Sequence, residues 1–370
     1  MARALLFQMD GEFPNHALMR IAAHHRDRGD EVELRHAGNV KSVRRDLWDD
    51  FQYVYGSAIF EWSKPVAQRI LDLYPNAILG GPGLDEIPDA SGGLVSIAAR
   101  RAAATISNVD RDTGITTRKK DYQFWPTFQN SIGFTMRGCR MGCGFCKVPV
   151  IEGKAHADEL VEDIWRGDPY PKNLILWDND TFGVPGWKHV FNSIRDGGFR
   201  VSFNQGINAR LMTEENAEWL AALDCRNSKF TESRWYTAWD NLGDEEILFR
   251  GLRHLTKYGV KPDQIMVYVL IGYAPGETHE QRDYRRKKLE DFGVRPYPMV
   301  YRKNLESRVE LNGFARWVIR RIDRKVSWED FKSVNYRPER IPELANTSLS
   351  ATQEPGESAG SLSDQEGNKQ

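Results

Sequence analysis

A chain of 370 residues with 40% hydrophobic and 28% charged residues has room for two or three domains, and its composition excludes a fibrous or wholly disordered protein. The formal net charge of -1 gives no bulk reason to expect a nucleic-acid partner. Four cysteines, three of them in one loop, make no disulfide framework. No apolar run reaches the roughly 18 residues of a membrane span, and Met1–Asp10 is too short for a secretory signal. The expected compartment is a reducing cytoplasm, without a membrane partner.

The first 85 residues alternate apolar runs with helical patterns. Ala4–Gln8, Glu31–Arg35, Tyr53–Ser57 and Ala77–Leu79 read as strands. Asn15–Arg28, Val40–Trp48 and Lys64–Leu73 read as helices, the first stopped by Gly29-Asp30. The β-α alternation predicts a doubly wound parallel sheet. Its last strand runs into Gly80-Gly-Pro-Gly83, which suits either a tight turn or, less specifically, a cofactor loop. His24 and His25 read as surface residues of the first helix. Residues 86–130 show no sustained period and read as a linker. Within it, Arg118–Lys120 is expected to be a solvated loop, with phosphate contact as the alternative. The aromatics of Asp121–Pro126 either pack the linker down or wall a site.

Ile132–Met136 reads as a strand ending at Cys139-Arg-Met-Gly-Cys143-Gly-Phe-Cys146. Three thiolates spaced C-x3-C-x2-C on one loop suit three irons of a 4Fe-4S cluster and leave the fourth iron open. Gly138, Gly142 and Gly144 let backbone wrap closely. Zinc is the alternative, but it would need a fourth ligand that this loop lacks.

On these residues the chain resembles the radical S-adenosylmethionine (SAM) superfamily. The resemblance implies that SAM chelates the open iron and is cleaved reductively to a hydrogen-abstracting deoxyadenosyl radical. It also implies an electron donor such as flavodoxin or ferredoxin, and a substrate that the sequence leaves unknown. In outline the first half is similar to the cobalamin-binding domain found in one subgroup of that superfamily. The loop Met9–His16 lacks the Asp-x-His-x-x-Gly spacing that often supplies a cobalt ligand there, so cobalamin is not expected.

Beyond the cysteines, helix Asp158–Trp165 precedes strand Asn173–Trp177, which ends in Asp178-Asn179-Asp180. By position in the superfamily, Asp178 and Asn179 are candidates for the SAM amino group; an Asx turn is the equal alternative. Helix His189–Arg195 and strand Arg200–Phe203 lead to Asn204 and Gln205, candidates for the SAM ribose. Arg210 suits the SAM carboxylate or, alternatively, a salt bridge where Thr213 caps helix Glu214–Leu223. Cys225 reads as a structural cysteine. Strand Arg234–Asn241 presents Asp240, and helix Glu245–Tyr258 follows. Strand Gln264–Gly272 resembles the one that receives adenine, with Gly272 allowing close approach. Helix Thr278–Phe292 and strand Arg295–Tyr301 complete about six β-α units.

The expected fold is thus α/β: a doubly wound parallel sheet over 1–85, a linker over 86–130 and a partial (β/α)6 radical SAM barrel over 131–304. A short helical C-terminal extension over 305–344 carries Arg316, Arg320, Arg321 and Arg324 outward, and residues 345–370 are expected to be disordered. The expected activity is hydrogen abstraction by a radical SAM enzyme. A methyl- or methylthio-transferase is the nearest alternative, and an iron-sulfur electron carrier or redox sensor the alternative of another class.

Overall fold

The computed structural model describes residues 1–84, 86–88, 94–96, 109, 113–301 and 308–335. Strands β1 (Arg3–Gln8), β2 (Glu31–His36), β3 (Tyr53–Ser57) and β4 (Ile78–Gly80) form one parallel sheet in the order β2-β1-β3-β4. Alternation sends Leu5 and Phe7 to one face and Leu6 to the other, so both faces of β1 are covered. Helix α1 (His16–Asp27) connects β1 to β2, and α2 (Lys64–Leu73) connects β3 to β4. The strand order therefore reverses direction between β1 and β3. The carboxyl ends of those two strands are where such sheets open a crevice. Asn15 caps α1 by accepting from the Ala17 and Leu18 amides, and Gly29, at φ +78°, ends it in the left-handed conformation that glycine tolerates.

Two expectations fail here. Val40–Trp48 forms only the short 3-10 turn Val40–Ser42, because only Val43 finds a buried place while Leu47 and Trp48 face solvent. A segment with no apolar face to bury gains too little to offset helix nucleation. His25 is buried, not superficial. It bonds Asp30 at 2.9 Å and the Tyr55 hydroxyl at 3.2 Å, tying α1 to β3.

Strands β5 (Glu86–Pro88) and β6 (Leu94–Ser96) make an antiparallel pair. From Ser131 two further parallel sheets follow. One holds β7 (Ser131–Gly133), β10 (Asn173–Leu176), β11 (Arg200–Ser202) and β12 (Asp224–Cys225) in the order β12-β11-β10-β7. The other is β13 (Trp235–Ala238), β14 (Ile265–Ile271) and β15 (Arg295–Val300). The two are stitched by Ile207 N–H to the Tyr236 carbonyl (2.7 Å) and Arg234 N–H to the Cys225 carbonyl (3.1 Å). Seven strands stand where about six were expected, the extra one being the two-residue β12. Cys225 on it is fully buried, and burial pushes its thiol pKa up.

The intervening helices are α4 (Val161–Ile164), α5 (Trp187–Asp196), α6 (Glu214–Ala221), α7 (Glu245–Lys257) and α8 (His279–Phe292), preceded by the single turn α3 (Val148–Ile151). Thr213 and Thr278 each close a capping box, with Asn216 and Gln281 respectively. α4 is shorter than the predicted Asp158–Trp165 because Asp158 and Glu159 donate their amides to the Thr135 and Phe134 carbonyls instead. Helix α9 (Arg308–Ile319) buries Leu311, Phe314, Trp317 and Val318 and keeps Arg316 outside, the expected amphipathic arrangement.

Residues Met1–Ile322 form one compact unit. Leu6, Leu18, Ile21 and Tyr55 share a core with Tyr122 and Trp125, and with Ile132, Ile175 and Phe230. The aromatics ahead of the cysteine strand thus serve packing. Arg118 and Lys119 are exposed, as expected of a solvated loop, and pair there with Asp158 (3.0 Å) and Asp27 (2.7 Å); Lys120 departs from that expectation, its side chain buried against Glu159. Asp323–Gln370 is a second unit; in it α10 (Trp328–Asn335) is capped by Ser327, whose Oγ accepts from the Asp330 amide at 3.1 Å. Residues 345–370 lie outside the described residues. No helix among the described residues is long and apolar enough to cross a membrane.

Candidate functional site

The cysteine loop is closed at its base. Strand β8 (Met136–Arg137) pairs antiparallel with β9 (His156–Ala157), so residues 138–155 project as a bracketed loop beyond β7. Inside the bracket the Cys139 amide donates to the Gly153 carbonyl at 3.2 Å, and the Gly138 amide to Glu152 Oε2 at 2.9 Å. Gly138 sits at φ +74°, and a Cβ there would lie 2.2 Å from the Lys154 carbonyl oxygen. At Gly144 a Cβ would lie 2.6 Å from the Tyr273 hydroxyl. Glycine is thus needed where the loop turns and where a phenol closes over it.

The three thiols share this loop, each partly exposed. Burial raises the pKa of Cys139 and Cys146, and mutual repulsion among the thiolates adds to it. That cost falls away when thiolates bind a cation. Among the described residues no three His, Cys, Asp or Glu side chains converge on one ion. Tetrahedral zinc would need sulfurs about 3.8 Å apart, from its 2.3 Å bonds. A cubane cluster asks for something else, since each thiolate takes its own iron. Three partly exposed thiols on one loop, with glycine where that loop turns, fit that demand.

Charged groups hold the loop from outside. Arg140 bonds Asp180 through Nε (2.8 Å), Nη2 (2.9 Å) and its amide (3.0 Å). Glu152 joins Arg137 (3.1 Å), the Gly138 amide and Asn179 Nδ2 (2.8 Å). Neither Asp180 nor Glu152 was singled out from sequence, and only the place of Asp180 beside the predicted pair gave any signal.

The predicted residues divide. Arg210 comes to the cysteines, with Nη2 3.8 Å from Cys143 Sγ, and its Nη1 pairs with Asp244 at 2.9 Å. That salt bridge is at the start of α7, not at the helix Thr213 caps. Asp240 is half-buried, and burial raises its pKa. Asn179, Asn204 and Gln205 line a common cavity. Asp178 lies apart: it is buried, accepting from the Thr135 amide (2.8 Å), the Thr135 hydroxyl (2.5 Å) and the Met136 amide (3.3 Å). It fits neither an open ammonium acceptor nor a simple Asx turn, and burial lifts its pKa to about 6. At Gly272, φ +77°, the neighbour that approaches is Leu311, whose Cδ1 would lie 2.4 Å from an added Cβ.

The cavity measures about 860 Å³ and lies between the switch point of the first sheet and the cysteine loop. Gly11, Ser57 and Gly81 line it from the first sheet; Arg137, Lys147 and Ile151 from the loop; Phe134 and Trp177 from the second sheet. The first sheet therefore ends on a hollow. His16 lines it as well, 3.6 Å from Glu159, with burial pushing its pKa down to about 4. Gly81 and Gly83 meet the carbonyls of Ala58 and Phe60 so closely that a Cβ would lie 2.2 and 2.4 Å away. This is the tight-turn role predicted for the glycines, and it shapes the cavity wall.

No protein-family model matches the chain, and no curated protein matches it in sequence. Among solved structures the chain is similar to the apo, selenomethionine-labelled cobalamin-dependent S-adenosylmethionine radical enzyme OxsB. The TM-score is 0.49 and the identity 13%, over 73% of this chain and 49% of that one. The chain thus spans about half the length of the solved structure it matches.

Proposed function

We propose that the chain is a radical SAM enzyme in which Cys139, Cys143 and Cys146 hold three irons of a 4Fe-4S cluster and leave the fourth to SAM. One observation carries the reading: three partly exposed thiols share a bracketed loop beyond the carboxyl end of a parallel strand, and Lys147, Ile151 and Glu152 of that same loop line a cavity. Loaded with cluster, SAM and an electron from a donor of the flavodoxin or ferredoxin kind, such a site supplies hydrogen-atom abstraction. Arg210, held by Asp244 beside Cys143, offers a guanidinium to a carboxylate. Asn179, Asn204 and Gln205 supply amides along the cavity. Phe134, Trp177 and Ile151 give the cavity apolar wall area against which a substrate can shed water. A simple electron carrier has no use for such a cavity, which favours the enzyme over that alternative.

We assign no role to cobalamin. Asp10, in the loop after β1, is taken up by the Ile59 and Phe60 amides (2.8 and 2.9 Å) and Ser63, and the imidazole of His16 faces Glu159. The test is anaerobic reconstitution with iron and sulfide, addition of SAM and a strong reductant, and mass spectrometry for 5'-deoxyadenosine. The product should form with the intact chain and vanish with Cys139→Ala. A well-formed cluster that cleaves no SAM would overturn the reading.

A further inference from the structure

The sheet β13-β14-β15 has two unlike faces. Thr237, Ile265, Val267, Val269 and Ile271 are buried on one. On the other, no residue from Tyr236 to Met299 is fully buried. The register aligns that second face in rows. Tyr236, Met266 and Arg295 stand side by side, then Ala238, Tyr268 and Tyr297, then Leu270 and Met299. Tyr236 stacks on Tyr268 at 5.7 Å, and Tyr268 meets Tyr297 edge-on at 5.8 Å. Three phenol rings on a partly open face make a platform for a flat ring.

The first row carries charge. Arg295 and the nearby Arg234 and Arg321 are three guanidiniums, close enough that burial and the other two charges lower the Arg295 pKa. The carboxylate beside them is Glu232, which is bonded to Arg234 at 3.0 Å. Arg295 and Arg321 have no ion pair among the described residues. Adjacent rows are about 6.6 Å apart, two residues of strand rise. An anion on Arg295 and a ring on Tyr297 therefore fit one small molecule. The platform is tied to one residue of the cavity wall: the Tyr268 hydroxyl donates to the Asn204 carbonyl at 2.9 Å, and Asn204 Oδ1 is a buried acceptor without a partner.

We infer that this face binds the substrate, and that the substrate is a small planar aromatic anion. Its ring lies on Tyr268 and Tyr297, its phosphate or carboxylate pairs with Arg295, and its remainder reaches past Asn204 toward the cysteine loop. The inference rests on the enzyme reading for its chemistry but not for its binding.

Calorimetry on the cluster-loaded full chain tests it, without reductant or SAM. Adenosine 5'-monophosphate and indole-3-acetate are the anionic probes, with adenosine and indole as their neutral counterparts. At least one anion should bind more tightly than its counterpart. Arg295→Gln should weaken that anion about tenfold, the size of one charge-assisted pair, and leave the neutral ring unchanged. Arg295→Lys should restore part of the loss, and Tyr297→Leu should weaken anion and neutral ring alike. Arg316→Gln, which removes an equal charge from the outer face of α9, should change nothing. Anions that do not bind, bind no better than their neutral counterparts, or ignore both substitutions in variants of unchanged circular dichroism would overturn the inference. A 5'-deoxyadenosine assay on the same preparation separates the readings. Product without selective anion binding removes the platform and keeps the enzyme; selective binding without product does the reverse.

Discussion

Two buried side chains of the same region carry opposite pH signatures. Folding raises the Asp178 pKa from 3.8 to about 6, so its protonated form is favoured and its contribution is lost as pH rises from about 4 to 6. Folding lowers the His16 pKa from 6.5 to about 4, so its neutral form is favoured and stability grows with pH over nearly the same window. Each effect amounts to roughly 3 kcal/mol, and they oppose. Burial also raises Glu159, but His16 and Lys120 outweigh it and hold its pKa at about 2, so its contribution is lost as pH falls from about 4.5 toward 2, below most of that window. Urea unfolding between pH 4 and 6.5 should therefore be nearly flat for the intact chain, rise with pH for Asp178→Asn and fall with pH for His16→Asn. Parallel profiles for the two variants would refute the opposition. None of this was legible in sequence: Asp178 was singled out for its place after an apolar strand, which says nothing of the Thr135 hydroxyl that meets it.

Elements with a long period were legible. β14 alternates buried and half-exposed residues over seven positions, and α6 and α8 announce themselves by Thr213 and Thr278. The hairpin β8-β9 was not, because two-residue strands have no period to detect and their pairing is non-local. Yet this bracket holds the loop in which the cysteines were recognised from their spacing alone. Gly138 is its tightest point. Gly138→Ala must abandon φ +74° or collide with the Lys154 carbonyl, a strain of about 1–3 kcal/mol confined to the loop. The variant should keep its far-ultraviolet circular dichroism and lose most of the visible absorbance of a reconstituted cluster. Full absorbance would show that the bracket has slack.

The first sheet and the cysteine-bearing sheet read in sequence as separate stretches joined by a linker. In the folded molecule Leu6, Leu18 and Tyr55 share a core with Ile132, Ile175 and Phe230, and Trp125 of the connection lies among them. Hydrophobic contacts across distant stretches leave no local pattern, so this union could not be read beforehand. Unfolding of residues 1–322 should accordingly be one transition. Tryptophan fluorescence and circular dichroism should give the same urea midpoint, and two separated midpoints would show independent halves.

The shared core also bears on descent. A recombination that exchanged the first 84 residues for a foreign sheet would strip the cover from Ile132, Ile175 and Phe230, and with it the wall of the cavity. The two halves must be inherited as a pair, and a change in what the cavity accepts has to arise by point substitution on its lining rather than by the borrowing of a ready-made domain.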